Sequence, residues 1–224
     1  MNLDKDTPRL LGAAFLLQAV ASAVAGLILL GPLMVPGNIV ASMTNMANNA
    51  LQMRASIVVE MITAIGIVML GALLFVTLQK QNGKIALVAL GLYLIEAAIL
   101  AVSRMAAFAL LLVSQESVVA GHPPYLQSLG SLFYETQSFG YDLHMLPFAL
   151  GATMFYYLLF KSGFIPRLLS LWGLIAAPLA LIGILFSLLG YQVPIIVFIP
   201  NLPFELGIGV WLIVKGIRDA SETG

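Results

Sequence analysis

The chain has no cysteine, only two histidines, and charge on just 9% of its residues. Each shortage excludes some chemistry. Without cysteine there are no disulfides, no thiolate metal sites and no cysteine nucleophile. A zinc centre needs about three N, O or S ligands held together. One of the two histidines, His122, sits beside Pro123 and Pro124 in a loop, so a histidine-rich centre is excluded. A set made from His144, Asp142 and Glu60 has no ligand-spacing motif behind it, and no metal or cofactor is expected. No Gly-x-Ser-x-Gly elbow, Walker loop or dinucleotide fingerprint occurs. Ten basic residues balance ten acidic ones, so nothing points to a nucleic-acid partner.

What the chain has instead is apolar residues, 61% of the total, with a mean hydropathy of +1.03. A soluble domain carries about 25% charged residues, so the composition predicts an integral membrane protein whose first partner is the lipid bilayer. Spanning takes roughly 20 apolar residues. Six segments qualify, approximately 10–31, 56–78, 85–113, 138–160, 168–190 and 194–214. The third exceeds what a span needs and is expected to tilt or project. Strand alternation is absent, which leaves a helical bundle rather than a barrel. The expected fold is therefore all-α, one domain over 1–224, with six transmembrane helices.

The basic residues orient it. Lys5 and Arg9 precede the first segment, and Lys80 and Lys84 lie between the second and third. Lys161 and Arg167 separate the fourth and fifth, while Lys215 and Arg218 follow the sixth. The opposite loops, 32–53, 114–137 and 191–193, contain no Lys or Arg. The positive-inside rule then puts both termini in the cytoplasm. The first segment is read as a span rather than a cleaved leader. Asp4 and Asp6 offset its basic start, and the apolar run continues past Ala23 to Leu30.

Polar groups inside such segments are rare and face the bundle interior or a wet cavity, because a charge at mid-bilayer costs ~2.5–3.5 kcal/mol on insertion scales. Counting ~1.5 Å per residue from the cytoplasmic basic ends gives their depths. Glu96, Glu205 and Gln18 fall at ~14–18 Å, near the midplane. Glu60, Arg104, Asp142 and His144 fall at ~25–30 Å, with Arg54 further out. Two layers are expected: a deep one of Glu96, Glu205, Gln18 and Asn201, and an outer gate or charge cluster of Glu60, Arg104, Asp142, His144 and Arg54. Glu96 and Arg104 lie ~12 Å apart along one helix and are not partners. Glu60 or Asp142 has the right depth to compensate Arg104. Asp142 and His144, two residues apart, point ~200° away from each other on a helix and form no ready dyad.

Breaks in the segments suggest a cavity. Pro194, Pro200 and Pro203 precede Glu205, so Pro200-Asn201-Leu202-Pro203 reads as an unwound turn of the kind that lines transporter sites. Pro147 is expected to act similarly on a smaller scale. In the loop at 38–53, Ile39, Met43, Met46, Ala50 and Met53 recur at helical spacing, which predicts an outer interfacial helix. That helix is either a plain connector or a methionine-rich adaptable lid. The loop after the third segment, 114–137, is expected to form a second cover, with no partner evident for His122.

Four stretches carry a resemblance: "TPRLLGAAFLLQAVAS", "LYLIEAAILAVSR", "SGFIPRLLSLWGLIAAPL" and "NLPFELGIGVWLIVKG". Its most specific parts are the Pro166-Arg167 turn and the Glu205, Trp211, Lys215-Gly216 pattern; Arg54 followed by Glu60 adds to it. Together they resemble the bacterial six-helix membrane proteins filed as domain of unknown function 4386. The resemblance implies a six-helix fold in a bacterial inner membrane and implies no activity. From the residues themselves we expect an outward-accessible polar cavity that binds or transports a small molecule or cation, with proton coupling through the deep carboxylates. The alternatives are an intramembrane enzyme acting on a lipid or isoprenoid, and an accessory or scaffold subunit whose charges only fix packing.

Overall fold

A computed structural model describes residues 6–217 of the chain, and all of its regular elements are helical. Helix α1 runs Thr7–Ala23, continues as a π-helix over Val24–Leu30 and closes with a 3-10 turn at Gly31–Leu33. Helix α2 (Ile39–Asn48) is short. It is followed by α3 (Ala50–Val119), α4 (Pro124–Ser162), α5 (Arg167–Leu188), a 3-10 turn at Ile195–Val197, and α6 (Asn201–Val214). Five helical stretches are long and apolar enough to cross a membrane.

One of the five is α3, whose 70 residues would reach ~105 Å if straight. It is not straight. Asn82 leaves the helical region (φ −163°, ψ 100°), and its Oδ1 accepts from the backbone N–H groups of Lys84 and Ile85, both at 3.1 Å. Asparagine thus caps the start of a second arm, and the two arms fold back on each other. Tyr93 packs against Gly71, and Arg54 lies over the Phe108 ring at 5.4 Å. Glu60 and Arg104, each 22 residues from Asn82, sense each other's charge. The expected second and third spans are the arms of this hairpin.

The bundle buries most of its polar residues within the spans, Gln18, Glu60, Glu96, Arg104, His144 and Glu205 among them, and exposes many large apolar side chains on its outer surface. Phe15, Tyr93, Phe155, Tyr156 and Phe204 form the main core where α1, α3, α4 and α6 meet. A second cluster, at the end of the hairpin remote from Asn82, holds Met43, Met46, Met53, Leu110 and Leu111. Glycines let the helices approach closely, which is how helices associate in a medium without a hydrophobic drive. A Cβ on Gly12 of α1 would sit 2.6 Å from the Gly209 carbonyl of α6.

Several expectations need correction. The loop expected over 114–137 is mostly helix: α3 runs on to Val119 and Pro124 opens α4, so only residues 120–123 connect them. Proline fits the first helical turn, where its missing N–H has no partner to lose. His122 does have partners there, Ser117 Oγ at 3.2 Å and the Gln127 amide on its carbonyl. The unwound stretch before Glu205 lies earlier than expected. Residues 194–200 hold only the 3-10 turn at Ile195–Val197 and a following turn, whereas Asn201 to Pro203 already belong to the first turn of α6. Helix α4 passes through Pro147 unbroken. The sequence pattern did not anticipate the π-helix. Lys5 and Arg218, used above to orient the chain, lie outside the described residues.

Candidate functional site

The polar residues of the bundle gather around two cavities of about 350 Å³ each. The inner one lies among α1, both arms of α3, α4 and the start of α6. All four expected deep residues line it: Gln18, Glu96, Asn201 and Glu205. Their positions follow from local structure. Gln18 backs onto Gly66, where a Cβ would come within 3.1 Å of its own, so α1 and α3 nearly touch at this level. Glu205 stands one turn after Asn201 on α6, and the two share a face. Gln18 Nε2 donates to Glu205 Oε2 at 2.9 Å, which ties α1 to α6. Asn201 spends its Nδ2 on the carbonyls of Ala176 and Phe198, both at 3.4 Å. Glu96 enters from the second arm of α3 and feels the charge of Glu205. Three oxygens remain without a hydrogen bond among the described residues: Glu96 Oε2, Glu205 Oε1 and Asn201 Oδ1.

Two tyrosines back this layer, and the sequence reading overlooked both. Tyr93 and Tyr156 are each at most 1% exposed. Their hydroxyls face each other, and that of Tyr156 also faces Glu205, without reaching hydrogen-bond geometry. Tyr93 is wedged between Gly71 and Gly151 and stacks edge-on to Phe155 at 5.2 Å. One signal was available: Tyr93 precedes Glu96 by three residues and so shares its helix face.

The outer cavity is lined by Glu60, Arg104, Gln137 and Asp142. Arg104 is 5% exposed and donates from Nε and Nη2 to Ser103 Oγ at 3.2 and 3.0 Å. Of the two expected partners, Glu60 is the acid whose charge acts on it. Asp142 is occupied elsewhere, its Oδ2 accepting from Ser187 Oγ of α5 at 2.7 Å. Glu60 Oε2 and Gln137 Oε1 have no hydrogen-bond partner among the described residues.

Two residues expected in the outer cluster do not line the outer cavity. His144 lines the inner cavity, with Nδ1 bonded to the Tyr141 carbonyl. Depth alone grouped it with Asp142, but a ~200° turn of helix separates two such residues and sends them to different cavities. Arg54 is exposed and stacked on Phe108, and it lines neither cavity. The outer helix α2 is no lid either. Met43 and Met46 are fully buried in the second core, and no α2 residue lines either of these two cavities.

Gly26, Leu27 and Tyr141 line both cavities. Gly26 belongs to the π-helix, where the Gly31 N–H bonds the Gly26 carbonyl five residues back. Such a wide turn swings the chain outward and often marks a functional position. Gln52 Nε2 braces it by donating to the Leu29 carbonyl at 2.8 Å. Among the described residues, no group of three or more His, Asp or Glu converges as metal ligands would.

Long apolar helices closed around ionisable side chains define the class: a helical membrane protein with a polar interior. The chain belongs to the family described as Domain of unknown function (DUF4386), whose model matches residues 10–216. No curated protein and no solved structure matches it.

Proposed function

We propose that this protein binds a small molecule or cation in the inner cavity and serves transport or sensing, with proton exchange at Glu96 and Glu205. The observation that carries the reading is the convergence of those carboxyls, from opposite halves of the chain, on one cavity with oxygens left unpaired. Two buried acids without a basic partner are costly in a bilayer unless a proton or a cation compensates them. Gln18 and Asn201 orient the site. Glu60, Arg104 and Asp142 flank the neighbouring cavity and gate it or anchor a ligand's charged group.

The proposed setting is a bacterial cytoplasmic membrane crossed six times, the arms of α3 counting separately, with both ends cytoplasmic. The one-sided distribution of Arg9, Lys80, Lys84, Lys161, Arg167 and Lys215 supports this orientation. The test is to titrate ligand response and thermal stability in Glu96→Gln and Glu205→Gln against the parent. A changed pH dependence is expected, and an unchanged one removes the deep acids from the mechanism.

A second reading, an intramembrane enzyme acting on a lipid or isoprenoid, draws support from the apolar side chains at the cavity rim, Leu27, Ile195 and Ile199. It predicts lipid turnover by the purified protein, lost in the same two variants.

A further inference from the structure

The inner cavity carries more information than the presence of two acids, because its hydrogen-bonding capacity is lopsided. The amide donors of Gln18 and Asn201 are already committed to Glu205 Oε2 and to two backbone carbonyls. The ring nitrogen Nδ1 of His144 is committed to the Tyr141 carbonyl. What is left over on the buried lining residues is oxygen: Glu96 Oε2, Glu205 Oε1 and Asn201 Oδ1. Of the lining hydroxyls, Thr63 donates to the Val59 carbonyl and those of Ser22 and Tyr141 face each other, while the Tyr156 hydroxyl faces Glu205 from behind the lining and can supply one donor only. The cavity lining contains no Lys or Arg. A buried acceptor left unmade costs about 1–3 kcal/mol, so the complement of this cavity is a cation carrying several N–H donors.

The way in narrows the class further. Leu27, Ile195 and Ile199 line the cavity and yet are 70%, 75% and 53% exposed. They form a rim on the flank of the bundle, where the π-helical end of α1 faces the irregular stretch before α6. Every side chain of that rim is apolar. A hydrated inorganic ion would lose water against it with nothing in return, whereas a molecule with an apolar body offsets the dehydration of its charge by burying that body. Inside, Ile67, Met145 and Phe148 continue the apolar lining, and about 350 Å³ is at the small end of ligand pockets, roughly 300–1,000 Å³.

We propose that the ligand is a small lipophilic primary ammonium, admitted from the bilayer side between Leu27 and Ile195–Ile199, with its N–H donors on Glu96, Glu205 and Asn201. This rests on the inner cavity being the binding site, as proposed above, and adds the ligand's chemistry and its route.

The test is calorimetric titration of the full-length protein in lipid nanodiscs with three probes of one shape: 2-phenylethylammonium, its N,N,N-trimethyl analogue and 2-phenylethanol. Sodium and potassium chloride are run alone beside them. The primary ammonium is expected to bind roughly tenfold or more tightly than either analogue, as charge-assisted hydrogen bonds predict. This comparison is made on the parent and needs no variant to fold. Leu27→Trp is expected to slow association, and Glu205→Gln to abolish the preference for the ammonium over the alcohol. Equal binding of the three probes overturns the ligand class, as does binding of the trimethyl analogue at full strength. Sodium or potassium binding that depends on Glu96 and Glu205, with no amine binding, also overturns the class but keeps the inner cavity as the site. If no probe and neither salt gives a signal dependent on those two residues, both readings fail.

Discussion

Gln18 and Glu205, separated by 187 positions in the chain, are joined by a 2.9 Å hydrogen bond that closes the first helix onto the last. The bond is made where Gly66 lets Gln18 lie against α3, so three elements meet at one amide. Interhelical bonds of this kind in membranes are worth about 0.6 kcal/mol on average and up to about 1.7. Gln18→Leu is therefore expected to lower stability toward the upper figure, because it strips a donor from a buried carboxyl. Glu205→Gln keeps an acceptor for Gln18 and is expected to lose less. Equal losses in reversible unfolding in detergent would mean that this bond does not organise the site.

The α1–α6 crossing below that bond depends on two glycines. A Cβ on Gly12 would meet the Gly209 carbonyl at 2.6 Å, and backbone cannot move aside as a side chain can. Gly12→Ala is expected to cost about 1–3 kcal/mol, the range for overpacking. Gly91→Ala serves as the control. It faces open space within α3, and Ala is the better helix former by about 1 kcal/mol. Thermal melts that rank these two variants the other way round would refute the tight crossing.

Arg104 and Glu60 attract each other across the outer cavity, although the hydrogen bonds of Arg104 go to Ser103. Removing one partner strands a buried charge, while removing both leaves none. Arg104→Met and Glu60→Gln should each destabilise more than the double variant does. Additive losses would show that the two charges act independently.

Tyr93 offers a separation of packing from polarity. Its ring is fully enclosed by Gly71, Gly151 and Phe155, yet its hydroxyl meets no partner within hydrogen-bond geometry. Tyr93→Phe should change stability by less than about 1 kcal/mol, whereas Tyr93→Ala should cost about 3–5 kcal/mol. A large loss in the phenylalanine variant would reveal a hydrogen bond that matters.

Because the chain has no cysteine, single cysteines report topology cleanly. In the proposed orientation, cysteines replacing Lys84 and Lys161 should react with an impermeant maleimide only after the membrane is opened. Cysteines replacing Asn49 and Gly121, both exposed at the opposite turns, should react in intact cells. Labelling from the same side at Asn49 and Lys84 would contradict a hairpin that crosses and returns.

Much of this was legible in the sequence because membrane helices are specified locally. A run of about 20 apolar residues satisfies its own backbone and needs no partner to declare itself. Ionisable residues within such a run stand out by their cost. Glu96, Glu205 and Gln18 could therefore be grouped by depth, with Asn201 added from the proline-bounded turn before Glu205, and all four line one cavity. Depth is one coordinate of two, however. Azimuth around each helix, and the angle at which helices meet, depend on side chains from other segments. That is why His144 left the outer layer for the inner one, and why the tyrosines behind Glu96 and Glu205 went unnoticed.

The sequence by itself determined the long apolar helical stretches and their order, since each depends only on neighbours along the chain. Tertiary structure alone decided which polar groups face one another. Glycine contacts set how closely α1, α3 and α6 approach, and the π-helix at Gly26 turns one wall toward both cavities. Both are consequences of packing between segments distant in sequence, and no local pattern encodes them.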